Sequence, residues 1–217
     1  MELVDIVLSL IFLSILMSLG SSRLLQLIRV MSFQGVLVPL VPILIAPQYQ
    51  PMSLSTAFAS LMLLIKGVLI PLMLWVAWRK IAIRREVEPL IGYNASLIAG
   101  LAMILFSVFI SSQLHLVMDR PGSSLLLPCA ITTIGAGFFL LMARRKAITQ
   151  IIGYLMLENG IYLTGAALAG HAQTHYVVEF GILLDLLVGV MIMGIILHRI
   201  NTTYDDIDTA FLKELKD

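Results

Sequence analysis

Residues 151–170, IIGYLMLENGIYLTGAALAG, form an apolar run long enough to cross a bilayer, with a single carboxylate, Glu158, near its middle. A hydrocarbon core is about 30 Å thick and a helix rises about 1.5 Å per residue, so roughly twenty apolar residues span it. No water is available there for backbone amides, so such a run must fold as a helix. Glu158 is then held at depth. An ionisable side chain at the centre of a spanning helix costs on the order of 2.5 to 3.5 kcal/mol, so such groups face a bundle interior, find partners and mark ion or proton paths.

Six further apolar runs have similar length, at about Leu3 to Leu19, Leu27 to Ile45, Leu54 to Trp78, Tyr93 to Ser112, Leu125 to Met142 and Val177 to Leu197. With 59% hydrophobic and 12% charged residues and a mean hydropathy of +1.00, the chain is far from a soluble domain, where about a quarter of residues are charged. The expectation is an all-α polytopic membrane bundle of about seven helices, a single transmembrane domain over residues 1–217. Residues 200–217 form a polar tail. The first run is expected to be retained, because MELVDIVLSL carries two acids where a signal peptide needs a positive segment. A net charge of +1 offers no surface for nucleic acid, and Cys129 stands alone with no Cys or His motif around it. No disulfide, metal or iron-sulfur ligation by this chain is expected.

The basic residues fix an orientation. Arg23, Arg29, Arg79, Lys80, Arg84, Arg85, Arg144, Arg145, Lys146, Arg199, Lys213 and Lys216 all follow odd-numbered runs, whereas the opposite loops hold only Arg120. Cytoplasmic loops retain Lys and Arg, which places the N-terminus outside and the C-terminus in the cytoplasm.

A weak internal repeat relates residues 1–85 to 123–200, with the fourth helix, 93–112, between them. Aligning IKGVLIPLMLWVAWRKI with LDLLVGVMIMGIILHRI sets Lys66 opposite Asp185, and aligning LLQLIRVMSFQG with ITQIIGYLMLEN sets Gln34 opposite Glu158. Depth links the charges more directly. Lys66 and Asp185 each precede Arg79 or His198 by thirteen residues and Glu158 follows Lys146 by twelve, so all three lie about 18 to 20 Å inside. Titratable groups in one layer can pass protons laterally when water connects them. A buried lysine could equally serve only to neutralise a buried acid and lock helices together.

Gln34 reads as an ordinary interhelical hydrogen-bonding residue and a weaker member of the path. His171, His175 and Glu179 fall beside external loops, as solvated residues or as proton entry or exit points. Gly153, Gly160 and Gly165 let helices approach closely.

The segments GYLMLENGIYL and FGILLDLLVGVMI resemble the hydrogenase-4 component E family, whose C-terminal half is similar to the K subunit of complex I and the C subunit of Mrp antiporters. The likeness is best over residues 125–200. By position Glu158 matches the first proton-path glutamate of K-type subunits, and Asp185, shorter by a methylene, stands where the second is expected. The resemblance implies a non-redox membrane subunit of a complex I-like group 4 hydrogenase or formate hydrogenlyase in a prokaryotic inner membrane. Its partners would be antiporter-like membrane subunits and the membrane subunit that anchors the redox arm, with nickel-iron and iron-sulfur centres in partner chains. No catalytic residue of its own is implied. A component of an Mrp-type cation/proton antiporter and a passive scaffold are the alternatives.

Overall fold

The computed structural model describes residues 3–45, 60–81, 91–114, 124–144, 147–168 and 188–194. All of the regular structure in them is helical. Helix α1 is Leu3–Gly20 and α2 is Leu24–Ile45. Helix α3 covers residues 60–81, with Ile65–Leu69 in a π-helical turn followed by α-helix over Ile70–Ile81. Helix α4 is Tyr93–Gln113, α5 is Leu126–Ala143, α6 is Ala147–Leu168, and α7 is represented by residues 188–194. Helices α1, α2, α4 and α5 are each long and apolar enough to cross a bilayer, and the chain is an α-helical membrane protein. Helix α6, at 22 residues, has the same reach, about 33 Å.

Two helix starts differ from the sequence reading. Helix α2 begins at Leu24 rather than Leu27, after a short turn at residues 21–23 whose Ser21 hydroxyl bonds the Arg23 carbonyl at 3.3 Å. Helix α6 is already helical at Ala147, four residues before residue 151, while Arg144, directly after α5, is extended. Near the start of α6, the Gln150 side chain donates to the Arg144 carbonyl at 3.3 Å.

The most extensive packing is between α5 and α6, and small residues permit it. A Cβ on Gly137 would meet the Leu157 amide nitrogen at 2.5 Å, and one on Gly160 would meet the Ile134 nitrogen at 2.6 Å. Gly153 faces Leu141 in the same way, with 2.9 Å to its nitrogen. These contacts give Gly153 and Gly160 the close-packing role read from the sequence. Polar contacts join other pairs: Ser107 of α4 and Thr132 of α5 share a hydrogen bond of 2.6 Å between their hydroxyls.

Helix α4 buries only the residues Ser96, Gly100 and Ser107 and leaves Ile98, Leu101, Leu105, Phe106 and Phe109 exposed. An outward apolar face of this kind suits hydrocarbon, not water. The fourth helix therefore lies at the edge of the bundle.

The π turn in α3 has a local cause. Pro71 carries no N–H and its ring crowds the carbonyl four residues earlier, that of Gly67, so the regular ladder cannot run through this segment. The amide of Ile70 reaches back instead to the Ile65 carbonyl, five residues away. Turns of this kind are frequent at functional positions. This one contains Lys66.

Candidate functional site

Lys66 leaves α3 from the π turn and is 5% exposed, while Glu158 on α6 is 1% exposed. Its ammonium donates to Glu158 Oε1 in a buried ion pair. A second bond runs from Lys66 Nζ to Asn159 Oδ1 at 3.2 Å, and the ring centroid of Tyr162, one turn further along α6, lies 5.8 Å from the same nitrogen. One cation therefore meets a carboxylate, an amide and an aromatic face, all presented by one helix.

Helix α2 frames the site from the other side. Gly35 packs directly on the backbone carbonyl of Lys66, and the Val36 side chain lies 2.9 Å from where a Cβ on Gly67 would sit. Any larger side chain at position 35 would push α3 away from α2. Pro39, inside α2, lacks the N–H that would bond the Gly35 carbonyl, so α2 is itself irregular here.

Gln34 departs from the sequence reading. Its side chain is fully buried, yet neither amide atom has a hydrogen-bond partner among the described residues, so it does not act as ordinary glue between helices. Glu158 Oε2 is likewise buried without a partner among them. A buried polar atom left unsatisfied costs about 1 to 3 kcal/mol, and Ser18 Oγ and Arg144 Nε and Nη1, away from this site, are in the same position.

The structure thus joins two of the three main sequence candidates, Lys66 and Glu158, which lie 92 residues apart in the chain. Asp185 lies outside the described residues, as do His171, His175 and Glu179. Asn159 was missed by sequence reasoning. Its signal was available, because a second polar residue directly after Glu158 in an apolar run needs a buried partner of its own. No group of three or more His, Cys, Asp or Glu side chains that could hold a metal ion occurs among the described residues.

Arg144 also differs from expectation. The sequence reads it as a basic anchor at the cytoplasmic surface, but it is 1% exposed. Its Nη2 donates to the Leu19 carbonyl at 3.0 Å, at the end of α1, and its guanidinium lies 5.2 Å from the centroid of the Tyr93 ring. The unsatisfied carbonyls at a helix C-terminus attract a cation, which draws this side chain inward. Arg144 ties the ends of α1, α4 and α5 together.

A stretch of 172 residues is 29% identical to hydrogenase-4 component E of Escherichia coli, covering 76% of this chain and 78% of that protein. The same identity and coverage hold for hydrogenase-4 component E of Shigella flexneri. An uncharacterized protein of Mycobacterium tuberculosis is 28% identical over 198 residues, 88% of this chain and 86% of its own length. The chain is similar to hydrogenase-4 component E. The similarity reaches well beyond the C-terminal segment that carries the sequence resemblance, since 172 residues cannot fit within 125–200. No protein-family profile matches the chain, and no solved structure does.

Proposed function

We propose that this protein is a non-redox membrane subunit of a complex I-like, energy-converting hydrogenase of the formate hydrogenlyase type, and that it contributes a lateral segment of the proton path. The observation that carries the reading is the buried Lys66–Glu158 pair, held at the middle of apolar helices and flanked by Asn159 and Tyr162. Similarity to hydrogenase-4 component E supports the assignment to a hydrogenase complex. The partners in this reading are antiporter-like membrane subunits and the membrane subunit that anchors the redox arm, all in a prokaryotic inner membrane.

In the proposed step the Lys66 ammonium gives a proton to the Glu158 carboxylate, leaving a neutral amine beside a neutral acid. The ion pair thereby becomes a neutral pair, a change that a low-dielectric interior tolerates because both charges vanish together. Reprotonation of the amine and loss of the proton from the acid complete one passage. Asp185, expected in the same layer, is the next station in this reading. The chain supplies titratable groups and a sealed environment; hydrogen chemistry belongs to its partners.

The decisive experiment purifies the tagged protein from native membranes, identifies the chains that accompany it and measures proton translocation by the complex in sealed vesicles. Nickel-iron and iron-sulfur polypeptides are expected among the companions, and Glu158→Gln is expected to assemble but to translocate at least ten-fold more slowly. Antiporter subunits alone among the companions would replace this reading with a cation/proton antiporter. Normal translocation by Glu158→Gln would remove Glu158 from the path.

A further inference from the structure

A narrow cleft reaches the site from one side. Its walls are Met31 and Gly35 of α2, Lys66, Ile70, Pro71 and Leu74 of α3, and Leu155 and Asn159 of α6, and it has room for about one water, ≈ 10 Å³. The lining residues step along the helices in register. Gly35, Lys66 and Asn159 lie at one end. From there α2 and α6 run backward through Met31 and Leu155 toward their N-terminal ends, and α3 runs forward through Ile70 to Leu74 toward its C-terminal end.

Those three helix ends belong to the basic side of the molecule. Arg23 immediately precedes α2, Arg79 stacks on Trp75 at 3.8 Å in the last turns of α3, and Arg144 lies just before α6. The cleft therefore points from the middle layer toward that side. Beyond Leu74, about seven residues of α3 remain, roughly 10 Å of helix.

Lys66 and Asn159 line the cleft, while Glu158 and Gln34 do not. Lys66, which lines the cleft and pairs with Glu158, thus links the cleft to the carboxylate. Asn159 Oδ1 accepts from Lys66 Nζ, and Met31, an unbranched side chain with three rotatable bonds, is among the apolar residues of the cleft wall.

We infer that the α2–α3–α6 cleft is a half-channel connecting Lys66 to the basic side of the membrane, closed at rest by Met31, Leu74 and Leu155, and that its ligand is water carrying a proton. The inference rests on the proposed function and adds an order to it. After the Lys66 ammonium passes a proton to Glu158, a hydronium ion in the cleft gives one to the neutral amine and becomes water; in the opposite direction each transfer reverses. Lys66 exchanges with the basic side, and Glu158 exchanges with the bundle interior.

The test uses the complex purified from native membranes and sealed in vesicles. Met31→Phe, Ile70→Phe and Leu155→Phe each fill the cleft from a different helix while leaving Lys66, Glu158 and Asn159 unchanged; Leu64→Phe, on an exposed position, is the control. The filled variants that assemble are expected to translocate protons about ten-fold more slowly than the control. Wild-type translocation in any of them overturns the half-channel. If none of the three assembles, Met31→Cys in a Cys129→Ala background decides: it is expected to react with a small impermeant thiol reagent added on the basic side and not on the other, and no reaction from the basic side overturns the inference. Glu158→Gln is measured beside them. Normal translocation there refutes the proposed function itself, whereas slow translocation there with normal rates in the filled variants refutes only the half-channel.

Discussion

Gly35 of α2 lies against the backbone carbonyl of Lys66, with no space for a Cβ between the two. This contact sets how closely α2 and α3 approach in the layer that holds the ion pair. It also lies at the one π turn among the described residues, so the backbone that carries Lys66 is both irregular and tightly confined. A residue so placed cannot move along its helix without displacing α2.

Replacing Gly35 by alanine therefore has an unusual sign. In an open helix this change stabilises by about 1 kcal/mol, because glycine is the poorer helix former. Here the added methyl meets backbone rather than a flexible side chain, and overpacking of that kind costs about 1 to 3 kcal/mol. Gly35→Ala is expected to lower the thermal stability of the complex and to reduce proton translocation. A melting curve in mild detergent checks it, and an unchanged or higher midpoint would show that α3 can yield.

Breaking the ion pair distinguishes a relay from a passive clasp. If Lys66 and Glu158 only hold helices together, Glu158→Gln leaves a buried unpaired ammonium, at about 3 to 5 kcal/mol, and assembly fails. Adding Lys66→Met would then restore assembly. In the relay the single variant assembles, translocation falls, and the double variant remains inactive. Quantifying subunits that co-purify, alongside proton uptake by vesicles, separates the two outcomes.

Arg144 offers a test of packing away from the site. Its bond to the Leu19 carbonyl and its place over Tyr93 link three helix ends, and a hydrogen bond from a charged donor contributes about 1.5 to 3 kcal/mol. Arg144→Ala is expected to destabilise the protein by that order. Arg144→Lys should recover little, since an ammonium lacks the planar fork that spans both contacts. Stability of the purified complex to heat or protease reads the difference.

Membrane orientation is tested with single cysteines at the two ends of α4. Asn94 and Gln113 are both exposed, whereas Ser21, otherwise a natural choice beside the first turn, is buried. In a Cys129→Ala background, Gln113→Cys is expected to react with an impermeant thiol reagent on intact cells. Asn94→Cys should react only after the membrane is opened. The reverse pattern would invert the topology that the basic residues indicate.

The sequence alone determined the class of fold and the approximate positions of the described helices. Helix α4 begins at Tyr93 as its apolar run predicts, because hydrocarbon leaves the backbone no alternative to helix and the length of a run bounds its ends. Lys66 and Glu158 could be placed in one layer by counting residues from their basic anchors, since rise per residue is nearly constant.

Which side chains meet within that layer was decided only by the tertiary structure. Rise gives height but not rotation, and rotation depends on where neighbouring helices allow close approach. Gly35 and the π turn before Pro71 fix α3 against α2, and Gly137, Gly153 and Gly160 fix α6 against α5. Those backbone contacts turn Lys66 toward Glu158 and Asn159, and they leave Gln34, at a similar depth, without a hydrogen bond among the described residues. Arg144 shows the same limit at the helix ends: its charge marked the basic side of the sequence, but the open carbonyl of Leu19, contributed by a helix 125 residues away, drew it inside.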